Sequence, residues 1–217
     1  MVSGQFMTSL PAADGSRLDV KVVESDLSHA EAWDREIQAP WISKTDRIDA
    51  KWSWRKHYLR SVLLEMAVGR RLAYLRLVTP AADGTAFTVG QVLLADGYPY
   101  PPARDLPCAF LWYLAGAPPE AAAAAGVKSY KGVLAALIDA AIQFSYIRGY
   151  GGRLCLHASP AGTSKQQKDL WNRYENAGLK PWNGGLFVGW FRRNDGRYFY
   201  ADAALAAKLS QRLDAYR

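Results

Sequence analysis

The chain has 217 residues, half of them apolar and 12% aromatic, with a formal charge of +7. That is enough material for one sizeable core and too little for two ordinary domains. No run of 18 apolar residues occurs, which argues against a membrane-spanning helix, and the opening Met1-Val2-Ser3-Gly4-Gln5-Phe6-Met7 lacks the basic and apolar regions of a secretory leader.

The Lys and Arg excess is uneven. Lys51, Arg55, Lys56, His57, Arg60, Arg70, Arg71 and Arg76 crowd one part of the chain, as a solvated helix face, a nucleic-acid interface or a site for a phosphorylated cofactor would require. Three histidines and two cysteines show no metal-ligand spacing, and neither a Gly-x-Ser-x-Gly elbow nor a Walker loop is present, so no metal is expected. Cys108 and Cys155 lie in apolar, strand-like runs. They read as reduced, buried thiols of a cytoplasmic protein, with a disulfide the alternative if their strands are neighbours.

In chain order, residues 1–16 are expected to be disordered and residues 17–217 to form one domain. Leu18–Val23 alternates apolar and polar residues as a strand does. Ser28 is placed to cap a helix over 29–38, with Glu31 completing a capping box and Pro40 stopping it. A second helix is expected from about Asp49 to Val68, ended by Gly69, with Trp52, Tyr58, Leu59, Val62, Leu63 and Met66 as its apolar stripe. Trp52 and Trp54, two apart on that helix, cannot share a face. His57 reads as a surface residue.

Strands over 71–78, 87–94 and 108–115 then form an antiparallel meander, the first pair joined at Asp83-Gly84. The proline-rich 96–107 stretch reads as an irregular connection with exposed aromatics at Tyr98 and Tyr100. Pro118–Ala125 is alanine-rich and of low complexity. A long amphipathic helix over 131–148 leads to a strand over 153–158 and then to a helix capped by Thr163 or Ser164 and ending at Gly178. Strands over 185–193 and 197–202 form a hairpin about Asn194-Asp195-Gly196, and a helix over 203–216 closes the chain. The expected fold class is mixed α/β: one central, mostly antiparallel twisted sheet flanked by helices, with one right-handed parallel crossover between the strands at 108–115 and 153–158.

Tyr174-Glu175-Asn176-Ala177-Gly178-Leu179, one strand and one helix after the long helix, resembles the Tyr-Glu-Lys-x-Gly-Phe signature of the GNAT (N-acetyltransferase) superfamily. The resemblance spans roughly residues 18–202. It implies an acyl-CoA-dependent N-acyltransferase using acetyl-CoA, or another acyl-CoA, as cosubstrate. It places Tyr174 as the general acid that protonates the departing thiolate. It implies that the backbone of Tyr113, Leu114, Ala115 and Gly116 pairs with the pantetheine arm, on a strand that splays from its neighbour. The family's pyrophosphate loop aligns with Ser129–Leu134, so Lys128, Ser129, Lys131, Gly132 and Val133 are the implied phosphate contacts. Ser129 stands where the family has a basic or amide residue, and Leu134 where it has a small one. His157 and Glu65 are the candidate bases, with Asp96 or a water chain as other routes.

The acceptor is an amine that the sequence does not specify. Glu65 and the 96–100 loop are implied to face it, and the basic helix at 51–60 allows a nucleic-acid acceptor. The alternative reading is a catalytically inactive GNAT-shaped protein that binds protein or nucleic acid. A third is a structural or immunity-type partner docking through exposed aromatics. No membrane partner is expected, and the oligomeric state is left open.

Overall fold

The computed structural model describes residues 6–69, 71–185, 187–188 and 192–217. The chain opens with an antiparallel pair, β1 (Ser9–Pro11) and β2 (Arg17–Asp19), so residues 9–16 are structured rather than disordered. The Thr8 amide ties this hairpin to the far end of the chain through the Tyr216 carbonyl (2.8 Å). The strand expected over 18–23 is split. Val20 turns aside to donate to the Thr8 carbonyl (2.8 Å), and β3 (Lys21–Glu24) then joins a different sheet.

Helix α1 (Leu27–Trp33) is capped by Asp26 rather than Ser28. The Asp26 carboxylate accepts from the Ser28 and His29 amides at 2.9 and 3.3 Å. The helix does not stop at Pro40 but continues as a π-helix over Asp34–Ile42. In these wider turns proline forfeits its own bond while its neighbours keep theirs, as the Ser43 amide does with the Gln38 carbonyl (2.8 Å). Helix α2 (Trp54–Val68) starts later than expected, behind Ser53 as N-cap, and ends at the left-handed Gly69 (φ 64°). Asp34 fixes that start, accepting from the Trp54 amide at 2.7 Å and the Ser53 hydroxyl at 2.8 Å. Trp52 therefore precedes the helix, and both indoles turn inward, 6.4 Å apart. The expected apolar stripe is only partly buried: Leu63 is 66% and Met66 77% exposed.

The meander is present, with longer strands: β4 (Leu72–Pro80), β5 (Ala86–Tyr100) and β6 (Ala103–Gly116). The 96–107 stretch is a continuation of the ladder, with register shifts at Ala95/Tyr98 and Pro99/Tyr100 that accommodate the prolines. Tyr98 and Tyr100 are buried, not exposed, in a second core with Cys108, Phe110, Cys155 and Tyr198. A buried amide, Gln91, sits between strands and helices. Its carbonyl accepts from Trp33 Nε1 (3.3 Å) and Trp54 Nε1 (3.2 Å) while its nitrogen donates to the Tyr74 hydroxyl.

The remaining elements are α3 (Pro119–Ala124), α4 (Val133–Ile147), β7 (Leu154–His157), α5 (Ser164–Asn176), β8 (Lys180–Trp182), β9 (Phe187–Val188), β10 (Arg192–Arg193), β11 (Tyr198–Ala201) and α6 (Ala203–Gln211). The expected hairpin of 185–193 with 197–202 is replaced. β11 lies between β7 and β8, while β9 pairs with β10; residues 186 and 189–191 lie outside the described residues. Among the described residues the resulting mixed α/β sheet has seven strands in the order β3-β4-β5-β6-β7-β11-β8. Every neighbouring pair is antiparallel except β6 and β7, which the crossover through α4 makes parallel. The central, mostly antiparallel sheet and its one parallel crossover are as expected from the sequence. Across that parallel pair the buried Cys108 and Cys155 sulfurs sit 3.5 Å apart.

Two glycines position the first turn of α4. Gly90 and Gly116 are register partners on β5 and β6, and a Cβ at Gly90 would meet Val133 Cγ1 at 2.6 Å. Among the described residues no helix is long and apolar enough to cross a membrane.

Candidate active site

The β6–β7 ladder covers only Ala109↔Leu154 to Leu111↔Leu156, whereas β6 runs on to Gly116. Among the described residues the strand pairing on the β7-facing edge of β6 ends at Leu111. Alongside that edge lies a cavity of about 690 Å³, lined by Tyr113–Gly116, the start of α4 at Val133 and Leu134, His157 at the end of β7, and Arg173 and Tyr174 of α5. The pairing with β7 thus ends before Tyr113–Gly116, the stretch that the resemblance implies to hold the pantetheine arm.

The proposed phosphate loop is tied to the N-terminal hairpin. The Ala13 amide donates to the Ser129 carbonyl and the Lys131 amide to the Pro11 carbonyl, both at 2.9 Å, and Ala12 bridges Tyr130. The Lys131 amide is therefore already used. Gly132 adopts φ 82°, and as N-cap it offers α4 no side-chain bond. The free N–H groups and positive dipole end of that first turn suit an anion, and Lys128 and Lys131 are exposed beside it. Of the implied contacts, Tyr113–Gly116 and Val133 line the cavity; Lys128, Ser129, Lys131 and Gly132 do not.

Tyr174 is 6% exposed and packs 5.4 Å from Phe199. Burial pushes its phenol well above the ordinary tyrosine range, with Asp49 adding to the effect and Arg173 opposing it. The phenol therefore stays protonated at neutral pH. His157 lines the same cavity, and its Nε2 lies 2.9 Å from Asp195 Oδ2. Burial favours the protonated Asp195, but the His157 hydrogen bond and charge and the Arg197 amide outweigh it, holding the carboxyl below its usual range. Glu65 does not line the cavity. Its carboxyl is raised by burial and by Asp96. Asp96 is buried and engaged by the Tyr150 hydroxyl (2.7 Å) and by Arg148.

Two features went unread in the sequence. His57, read as a surface residue, stacks on Tyr113 with centroids 3.8 Å apart and meets Trp52 edge-on at 5.2 Å. Among the described residues its buried Nε2 has no hydrogen-bond partner, and burial, aided by Arg60 and opposed by Asp34, pulls the imidazole down to about 4. A histidine beside two tryptophans was the only available signal. Arg47 roofs the cavity. Asp49 holds its guanidinium through two bonds (2.9 and 2.7 Å), and Nη1 and Nη2 both donate to the Gly116 carbonyl (3.1 Å). Gln166 of α5 donates to the Asp46 carbonyl, so the 46–49 segment links β6 to α5.

No family model and no curated protein sequence matches the chain. Its shape is similar to several solved structures. One is the apo form of FdhC, described as a nucleotide-linked sugar GNAT (TM-score 0.49, 9% identity, 98% of each chain covered). Another is spermidine N-acetyltransferase from Vibrio cholerae in complex with CoA and spermine (TM-score 0.47, 14% identity, 87% of this chain and 98% of that one). A third is the KacTA–DNA complex (TM-score 0.48, 13% identity, 89% and 99%). At that level of likeness nothing about the activity of this chain follows from them.

Proposed function

We propose that the chain is an acyl-CoA-dependent N-acyltransferase acting on an amine. The observation that carries this reading is the Tyr113–Ala115 stretch of β6, where among the described residues the pairing with β7 has ended, opening on a cavity that also holds Tyr174 and His157. An exposed strand edge inside a protein is costly to leave bare, and an extended ligand rich in amides satisfies it. The Tyr113–Gly116 edge would hold the pantetheine arm, and the uncapped first turn of α4 with Lys128 and Lys131 would hold the phosphates. Bound acyl-CoA supplies an activated thioester. A backbone N–H of β6 stabilises charge developing on the acyl oxygen. His157, oriented by Asp195, takes the proton lost by the attacking amine, and Tyr174 donates one to the sulfur. Glu65 has no part in this scheme because it lies outside the cavity.

A thiol-release assay with acetyl-CoA against a panel of primary amines tests the reading. Amine-dependent release that is lost in Tyr174→Phe supports it; no release above the amine-free rate for any acceptor counts against it. The alternative, an inactive binding module, draws on the Lys131 amide engaged by Pro11 and on the basic face of Lys51, Lys56 and Arg60. Nucleic-acid binding of that kind would weaken steeply as salt rises.

A further inference from the structure

The alanine-rich 118–125 stretch, the π-helix and a half-buried arginine have no part in the acyl-transfer scheme, yet they meet around one second cavity. This space, about 790 Å³, lies between the α1–π-helix segment, the β4–β5 hairpin and α3. That volume falls in the range of small-molecule sites. Its helical wall is a single face: His29, Ala32, Trp33, Glu36, Ile37 and Trp41 recur at helical spacing, and the π segment carries that face past Pro40. π-helical turns of this kind are frequent at functional sites. The opposite wall is α3, whose alanines present only methyl groups and so leave the space open.

Arg76 reaches this space from β4. Its Nε donates to the Ser25 hydroxyl (2.6 Å) and Nη1 to the Thr88 hydroxyl (2.9 Å), both neutral groups. Among the described residues no carboxylate lies within ion-pair distance of it and Nη2 makes no hydrogen bond. The nearby Asp26 is already spent on the α1 N-cap. The two acidic residues of the lining do not answer the charge either. Glu36 is paired with Arg35 (2.6 Å) and Asp83 with the Thr85 hydroxyl (2.6 Å). A half-buried guanidinium with an open donor, set among aromatic and methyl groups, has the chemistry of an anion receptor.

We propose that this second cavity binds a small organic anion, with its carboxylate or phosphate monoester on Arg76 and its apolar body between Trp41, Phe87 and the alanines of α3. The site stands apart from the acyl-transfer cavity and does not depend on that activity.

The test is a titration of the full chain with phenylacetate and with phenyl phosphate, followed by tryptophan fluorescence and calorimetry, with phenylacetamide and inorganic phosphate as controls. One or both aromatic anions should bind at least about tenfold more tightly than either control. Arg76→Gln should weaken that binding by about ten- to hundred-fold, the scale of a lost charge-assisted bond. Ala124→Trp, which fills the space from the exposed face of α3 and leaves the guanidinium intact, should abolish it and serves where Arg76→Gln does not fold. Saturating coenzyme A should not displace the anion. The proposal is overturned if the folded protein binds neither aromatic anion below about 10 mM, if inorganic phosphate binds equally well, if both variants bind like the parent, or if coenzyme A displaces the ligand.

Discussion

Tyr174 and His57 illustrate how burial turns a side chain into a chemical statement. Burial favours the protonated Tyr174, and a general acid needs that form. Tyr174→Phe should lower turnover by about 10- to 1000-fold while leaving coenzyme A affinity unchanged, read by steady-state kinetics beside calorimetry; equal turnover would remove the phenol from the mechanism. His57 works the other way, because its neutral ring is favoured in the fold. Between about pH 6.5 and about 4 the unfolded chain holds a proton that the folded chain does not, so stability falls as pH drops through that window. The slope is a fraction of about 1.4 kcal/mol per pH unit, since the ring is only partly shielded from water. His57→Phe should flatten the stability curve over this range, measured by denaturant titration. A slope matching the parent would mean the ring is not kept neutral.

Among the elements, α4 and its glycine seat govern the shape of the site. Gly90→Ala forces a methyl group into Val133 and should cost about 1–3 kcal/mol, seen as a fall in Tm of roughly 2–10 °C. Adding Val133→Ala should recover most of the loss, and no recovery would place the strain elsewhere. The elements most legible in the sequence were α4, which carries a periodic apolar face, and α5, which the Thr163–Gln166 capping box starts. The β5–β6 extension was hidden because Pro99, Pro101, Pro102 and Pro107 read as breakers, and only the bulges that absorb them reveal a strand. β8 escaped because three residues carry no period. The roof over the site was illegible for a different reason. Arg47 finds its acceptor, Gly116, 69 residues away, and no local pattern marks such a contact.

At the scale of the whole molecule, the two ends of the chain are fastened to the body that carries the site. The β1–β2 hairpin binds the loop before α4, and Arg217 reaches the buried Asp139 on α4 itself, also bonding Ser210 Oγ at 2.7 Å. Burial raises the Asp139 carboxyl despite Arg217 and its hydrogen bonds, so the pair is a contact that is costly to break on one side only. Arg217→Met should destabilise the fold by about 3–5 kcal/mol, whereas Asp139→Leu combined with Arg217→Met should return close to the parent. Thermal unfolding of the three proteins decides this; a double variant no better than the single one would contradict it.

The central claim is that the edge of β6 and the start of α4 together hold a coenzyme A thioester. Its most direct test is isothermal titration of the folded protein with acetyl-CoA, with free coenzyme A and desulfo-coenzyme A alongside. The account predicts saturable one-to-one binding of all three with Kd on the order of micromolar. Absence of binding by any of them to protein shown to be folded would contradict it.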